Sequence, residues 1–290
     1  MLQLIDGKAQ SEVLKQSIAN KVKNLDVKPR LIIISVGDDA ASKIYIRNKR
    51  KACEETGIQL IVVEKPANVS RDEISDLIFE FNNDAFVDGI MIQEPLPAHL
   101  EGISEEIYEG KDVDGFTSSN LGKLLLQQDN YFEPCTPAGI VQLINSTGLN
   151  ISGKHIVVIG RSKIVGKPLS AMLLNQNATV TICHSKTEHL KDICKTSDIL
   201  ISAIGKPKFI TTEYIGPNTR IVTDVGINRL DNGKLCGDAD FKSICQLFNN
   251  RINTNYITPV PGGVGPMTVQ NLMLNTLKSY FNRHKNLKEE

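Results

Sequence analysis

No apolar run in this 290-residue chain is long enough to cross a bilayer: the longest, such as Leu31–Ile34 and Ile156–Ile159, are strand-length. The opening MLQLIDGKAQ lacks the basic-then-apolar layout of a secretory signal. There is no charge excess either. The 33 basic and 33 acidic residues cancel, which argues against a general nucleic-acid or membrane surface and leaves room only for local basic patches. The six cysteines (Cys53, Cys135, Cys183, Cys194, Cys236, Cys245) form no CxxC pair, so they read as reduced core thiols of a cytoplasmic protein rather than a disulfide framework. The five histidines show no metal-ligand spacing such as H-E-x-x-H, and no G-x-S-x-G elbow offers a serine nucleophile. No metal is expected. Low-complexity tracts and internal repeats do not stand out.

What is present is alternation. Val13, Leu14, Ile18, Val22 and Leu25 form a helical stripe, and Leu31–Val36 reads as a buried strand. A helix over about 42–56, a strand at Gln59–Val63, a helix opened by the capping box Ser70–Glu73 and a strand at Val87–Ile92 follow. The later chain repeats the pattern: strand His155–Ile159, helix Val165–Asn175, strand Thr179–Cys183, helix Glu188–Lys195, and strands Ile199–Ile204 and Ile221–Val225. Such alternation predicts βαβ units, hence an α/β protein with mostly parallel sheets covered on both faces. The length allows two ordinary domains or one large α/β domain; the fold expected is two α/β domains with a cleft between them, the second a Rossmann-like doubly wound sheet. The expected division is 1–137 and 138–267, with a final helix, about 268–290, packing back on the first domain.

In the second domain a strand ends at Gly160, and Gly166 opens the next helix. Two glycines so placed let backbone amides face a pyrophosphate, although Ser162 occupies the position of the second glycine in G-x-G-x-x-G. The next strand ends in Cys183-His184-Ser185-Lys186, without the acid that would hold a ribose 2′-hydroxyl. Arg161, with a serine hydroxyl nearby, suits a 2′-phosphate instead, so NADP is the expected cofactor.

In the first domain, Tyr45 and Lys49 are i,i+4 on one helix and share a face, able to stack on a ring and to place a cation or proton donor beside it. Gln93 ends the strand VDGIMIQ, where α/β proteins gather their ligands, and can position a water. Lys111-Asp112-Val113-Asp114-Gly115 presents two carboxylates, one of which can clamp a paired donor. Near the end, Thr258–Thr268 (TPVPGGVGPMT) holds three prolines and three glycines between Pro259 and Pro266. So dense a mixture suits neither helix nor central strand and reads as a ligand-facing loop preceding a helix.

Together IDGK (5–8), ASKIYIRNKRKACEETGI (41–58), VDGIMIQEPLP (87–97), KDVDGF (111–116), PCTPAGI (134–140), GRSKIVGKP (160–168), DVGINRL (224–230) and TPVPGGVGPMT (258–268) resemble, in order and over nearly the whole chain, the bifunctional methylenetetrahydrofolate dehydrogenase/methenyltetrahydrofolate cyclohydrolase family (FolD type). The resemblance implies NADP-linked oxidation of 5,10-methylenetetrahydrofolate followed by hydrolysis to 10-formyltetrahydrofolate. It assigns Lys49 as the catalytic lysine, Tyr45 to the folate ring, Gln93 as the polar partner of Lys49, and Asp114 to the pterin. It places Gly160, Arg161, Ser162, Ser185 and Ile227 on NADP, and Pro261 and Gly262 beside the folate. It also implies tetrahydrofolate derivatives as substrates and a homodimer formed through the nucleotide-binding domains. One position departs from the family pattern: Glu94 stands where a leucine follows the glutamine, and its carboxylate is expected to point into solvent. The alternatives are a monofunctional dehydrogenase on the same scaffold, or a catalytically silent folate- or nucleotide-binding subunit. The intact Tyr45, Lys49, Gln93 and Arg161 argue against both.

Overall fold

The computed structural model describes residues 1–286. In chain order it begins with β1 (Leu2–Leu4), α1 (Gly7–Lys23), β2 (Arg30–Val36), α2 (Ala40–Thr56), β3 (Gln59–Lys65), α3 (Arg71–Asn83) and β4 (Gly89–Gln93). It continues with α4 (Ser118–Leu125), α5 (Cys135–Asn145), β5 (His155–Ile159), α6 (Gly166–Asn175), β6 (Thr179–Cys183), α7 (Leu190–Lys195), β7 (Ile199–Ser202) and β8 (Ile221–Asp224). The short strands β9 (Asn228–Arg229) and β10 (Leu235–Cys236), α8 (Phe241–Asn249), β11 (Asn255–Ile257) and α9 (Val264–Asn286) complete it. The chain divides into two compact units: Glu12–Cys135 with Val269 onward, and Met1–Ser11 with Thr136–Thr268.

The first unit, Glu12–Cys135 with α9 from Val269, is built on a three-stranded parallel sheet of order β3-β2-β4. Strand β2 explains why. Leu31, Ile32, Ile33 and Ile34 are all fully buried, so both faces of the strand must be covered. Side chains alternate across a strand. Leu31 and Ile33 pack with Ile18 and Val22 of α1, Ile46 and Cys53 of α2, and Leu272, Met273 and Leu277 of α9. Ile32 and Ile34 pack on the other side with Ile74 and Ile78 of α3, Leu100 and Ile103. Each such side chain contributes about 2 kcal/mol on burial. Helix α3 starts where the capping box places it, with the amide of Glu73 donating to Ser70 Oγ at 3.1 Å. The reciprocal half is absent, because the Glu73 carboxylate pairs with Lys65 Nζ at 2.7 Å instead.

The other unit carries a six-stranded sheet of order β1-β11-β8-β7-β5-β6, every pair parallel. Val157, Ile159, Leu200 and Val222 pack in one cluster with Cys194 of α7 and Ile244 and Phe248 of α8. From β5 the chain lays β6 on one side and returns to place β7 on the other, which makes the carboxyl ends of β5 and β7 the topological switch point.

Two expectations are corrected. Residues 1–11 belong to this second unit and not to the first. Strand β1 adds to the sheet edge at β11 (Leu2↔Asn255, Leu4↔Ile257), and the Ile5 amide donates to Ile257 O at 2.9 Å, which satisfies an edge otherwise left open. The last helix starts at Val264, inside the Gly/Pro stretch. Pro266 falls in its first turn, where an amide has no intrahelical partner to lose. From Val269 this helix belongs to the first unit, as expected; residues 287–290 of the expected segment lie outside the described residues. Among the described residues no helix is long and apolar enough to cross a membrane, and all six cysteines are free thiols.

The junction of residues 5–8 with the Gly/Pro loop admits no side chain. A Cβ on Gly7 would lie 1.8 Å from Gly263 O, and the Lys8 amide donates to Gly262 O at 3.1 Å. Gly7→Ala is expected to lower unfolding free energy by about 2–4 kcal/mol and to strip hydrogen-exchange protection from the Ile5 amide. Denaturant unfolding and exchange of that amide check it.

Candidate functional site

Lys49, Gln93 and Asp114 of the first unit meet beside the carboxyl end of β4. Helix α2 is anchored there: Asp39 caps it by accepting from the Ser42 amide at 2.7 Å, and Gly57 ends it in the left-handed region at φ 79°. Ile46 and Cys53 face the core, which leaves Tyr45 and Lys49 on the rim, Tyr45 exposed and Lys49 half-buried. Lys49 Nζ donates to Gln93 Oε1 at 2.7 Å, and Gln93 Nε2 donates in turn to Glu94 O at 2.6 Å. Gln93 is therefore fixed in orientation, with its carbonyl toward the lysine. Burial pushes the Lys49 ammonium below the ordinary lysine value, against the opposing pull of Asp114.

The two carboxylates of KDVDG separate clearly. Asp112 is buried and accepts from the amides of Gly115 (3.0 Å) and Thr117 (2.8 Å) and from Asn120 Nδ2 (2.8 Å). It holds the loop together. Asp114 instead faces Lys49 and the thiol of Cys135, and burial pushes it up to about 6, with Lys49 acting the other way. Glu94 is exposed, as expected, but it is not free in solvent: its Oε2 accepts from the Leu96 amide at 2.9 Å across the cis Glu94–Pro95 turn. Its charge also adds to the upward shift of Asp114.

In the second unit the glycine turn has a steric basis. Gly160 sits at φ 127°, and a Cβ there would lie 2.5 Å from Ala203 O; a Cβ on Gly166 would lie 2.1 Å from Gly160 O. The start of α6 thus rests directly on the turn, leaving backbone open to a phosphate. Ser162, in place of a glycine, closes the turn by accepting from the amides of Val165 (3.1 Å) and Gly166 (3.4 Å). Arg161 and Ser185 are exposed at the adjacent ends of β5 and β6, which are joined there by Gly160 N to Cys183 O at 2.9 Å. Ile227 is exposed after β8, near Gly265. This donor set, with a lone guanidinium and no acid at the end of β6, fits a phosphorylated dinucleotide. Pro261 and Gly262 lie in this unit, on the loop braced by Lys8, rather than in the unit of Lys49 and Asp114.

A pair of residues escaped the sequence reading. Asp238, fully buried, accepts from Ser202 Oγ and the amides of Ile204, Gly205 and Lys206, and from Asn228 Nδ2. Asp224 accepts from the amides of Gly226, Asp238 and Ala239 and is pushed up to about 6 by burial. Together they shape the loops beyond β7 and β8 that carry Ile227. The available signal was Gly226 and Gly237: a Cβ on either would collide with the Asp238 or Asp224 carboxylate. Among the described residues no group of three or more His, Cys, Asp or Glu is placed to hold a metal ion.

Such geometry defines a two-unit α/β protein with a dinucleotide-type turn in one unit and a lysine–glutamine–aspartate cluster in the other. Residues 5–114 match the family described as tetrahydrofolate dehydrogenase/cyclohydrolase, catalytic domain, and residues 134–284 its NAD(P)-binding domain. A bifunctional protein FolD of Campylobacter hominis is 49% identical over 292 residues, covering 99% of this chain and 100% of that protein. The crystal structure of the bifunctional FolD enzyme of Campylobacter jejuni superposes with a TM-score of 0.93 at 42% identity, covering 98% of this chain and 100% of that one. The Trypanosoma brucei methylenetetrahydrofolate dehydrogenase-cyclohydrolase, complexed with NADP and an inhibitor, gives 0.88 at 34% identity, with 97% and 98% covered. The chain belongs to the tetrahydrofolate dehydrogenase/cyclohydrolase family.

The different hydrogen bonding of the two KDVDG acids has a measurable consequence. Asp112→Ala strands the buried Thr117 amide and takes one of two acceptors from the Gly115 amide and Asn120 Nδ2, and is expected to cost about 1–3 kcal/mol of unfolding free energy. Asp114→Asn, at a site where burial already disfavours the charge, is expected to change it by less than about 1 kcal/mol. Urea denaturation of both variants measures the contrast.

Proposed function

We propose that this chain oxidises 5,10-methylenetetrahydrofolate with NADP to the 5,10-methenyl compound and hydrolyses that to 10-formyltetrahydrofolate. The observation that carries the reading is the 2.7 Å hydrogen bond from Lys49 Nζ to Gln93 Oε1, beside an Asp114 whose carboxyl is not consumed by its own loop. NADP, when bound, supplies the hydride acceptor. Gly160, Gly166, Ser162 and Ser185 would hold its phosphates and ribose, and Arg161 its 2′-phosphate. Asp114 would grip the paired N–H donors of the pterin, and Tyr45 would lie along the folate ring system, fixing the one-carbon bridge between its two nitrogens.

Loss of hydride leaves an amidinium carbon stabilised by both nitrogens. Its hydrolysis needs a water at that carbon and a proton moved onto the departing nitrogen. Burial holds Lys49 below the ordinary lysine value, so its neutral amine is more accessible than that of an exposed lysine. With one N–H held by Gln93, the neutral amine retains a lone pair to take the proton of the attacking water and then return it. Gln93 orients both the lysine and the tetrahedral adduct. We place the protein in the cytoplasm as a homodimer on the family resemblance.

One coupled assay tests the reading, following reduced cofactor and methenyl product together with NADP or NAD. Rapid NADP reduction with little methenyl build-up is expected; accumulation of methenyl product points instead to the dehydrogenase alone. Lys49→Gln is expected to lower methenyl hydrolysis by about 10²–10⁴-fold while the protein stays folded, and to remove the rise of that rate with pH. Unchanged hydrolysis in this variant would sink the lysine's role. Arg161→Ala is expected to raise the NADP KM by at least about ten-fold while leaving the NAD reaction nearly untouched.

A further inference from the structure

The turn that follows β6 is held by a side chain with no part in the chemistry above. The Thr187 amide donates to His184 O at 2.9 Å, closing a β-turn with Ser185 and Lys186 as its central residues. The His184 amide donates to Thr187 Oγ1 at 2.8 Å, and the Lys186 amide donates to His184 Nδ1 at 3.1 Å. An amide can only donate, so this Nδ1 carries no proton and the ring hydrogen sits on Nε2. His184 thus accepts from the amide two residues on, the bond that an asparagine or aspartate side chain makes in an Asx turn. The imidazole makes it without the negative charge an aspartate would bring. His184 is half-buried, while Ser185 and Lys186 are exposed. The root of the turn is fixed as well: the Gly160 amide donates to Cys183 O at 2.9 Å, which ties it to the turn that carries Arg161.

We propose that His184 is a positioning residue for the 2′-phosphate of NADP: its Nδ1 folds residues 184–187 so that the Ser185 hydroxyl meets the phosphate that Arg161 pairs with. The inference rests on the reading of Arg161 and Ser185 as the 2′-phosphate site. The physical case has three parts. All three bonds that close the turn begin or end on His184, through its amide, its carbonyl and its ring. Among the described residues nothing else accepts from the Lys186 amide, so removing the ring leaves that amide to solvent and loosens the turn on the side of Ser185. Segment 183–187 contains no acid, so a phosphate dianion there meets only donors and a cation. A hydrogen bond weakens steeply when its donor is misaimed. Loosening the turn therefore costs affinity for the phosphate while sparing the adenosine to which it is attached.

The test is calorimetric binding of 2′,5′-ADP, which carries the 2′-phosphate, against 5′-AMP, which lacks it. It compares the unaltered protein with His184→Ala, His184→Asn, Ser185→Ala and Arg161→Ala. His184→Ala is expected to weaken 2′,5′-ADP about ten-fold, the effect of one misplaced hydrogen bond to a charged group, and 5′-AMP by less than about two-fold. His184→Asn, whose side-chain oxygen accepts the same amide, restores 2′,5′-ADP binding, and the NADP KM follows 2′,5′-ADP in each variant. Nitrogen NMR of the labelled ring needs no variant and is expected to show the Nε2–H tautomer; a protonated Nδ1 overturns the hydrogen bond on which the proposal stands. Equal losses for both ligands in His184→Ala, or none, while Ser185→Ala and Arg161→Ala selectively lose 2′,5′-ADP, overturn the role of His184 alone. So does a selective loss that asparagine fails to restore, which assigns the ring a direct contact instead. Intact 2′,5′-ADP binding in both Arg161→Ala and Ser185→Ala overturns the reading of the site, and the positioning role with it.

Discussion

Strands β2 and β5 have almost no exposed face: Leu31–Ile34 and Ile156–Ile159 are buried on both sides by helices. A parallel strand covered in this way can present chemistry only where it stops, because every side chain along its length is committed to packing. The consequence is visible twice. Gln93 stands at the end of β4 and meets Lys49 there, and Gly160 stands at the end of β5 and meets the first turn of α6. In both sheets these ends lie where the chain reverses its direction of winding, between β2 and β4 and between β5 and β7.

Hydrogen bonding then decides which acid near each site is structural and which is available. Asp112 and Asp238 are saturated by backbone amides and side-chain donors and act as internal staples for the loops around them. Asp114 keeps its carboxyl facing Lys49 and a thiol, at the cost of an ionisation made harder by burial. The lysine is displaced in the complementary direction. Side by side, a lysine and an acid are thus each pushed toward their neutral forms by burial. Glu94 fits this picture without disturbing it: its carboxylate is tied to the Leu96 amide and acts on Asp114 only through its charge.

Much of this was legible beforehand. The spacing of Tyr45 and Lys49 placed them on one helix face, the end of VDGIMIQ placed Gln93 at a strand terminus, and the glycines at 160 and 166 marked the turn. Other features were not. The Gly/Pro stretch read as a ligand-facing loop ending before a helix, whereas its second half is the first turn of α9, since nothing in a proline's local preference distinguishes a loop from a helix start. The Asp224–Asp238 pair was invisible because its partners are mostly amides, and every residue has one. Choosing between Asp112 and Asp114 from spacing alone was impossible, because the two differ only in what surrounds them.

The amino-acid sequence by itself determined the alternation of strand and helix, the parallel sheets and the glycine turn, since each depends on periodicity or on a steric property of one residue. Tertiary structure decided which unit the first eleven residues join, where α9 divides, which KDVDG acid is free to act, and how Asn275 reaches back to Val113 and Glu133. Apart from the choice between the two acids, these are contacts between segments more than a hundred residues apart. Their energies arise from burial and hydrogen bonding that exist only once the chain has closed on itself.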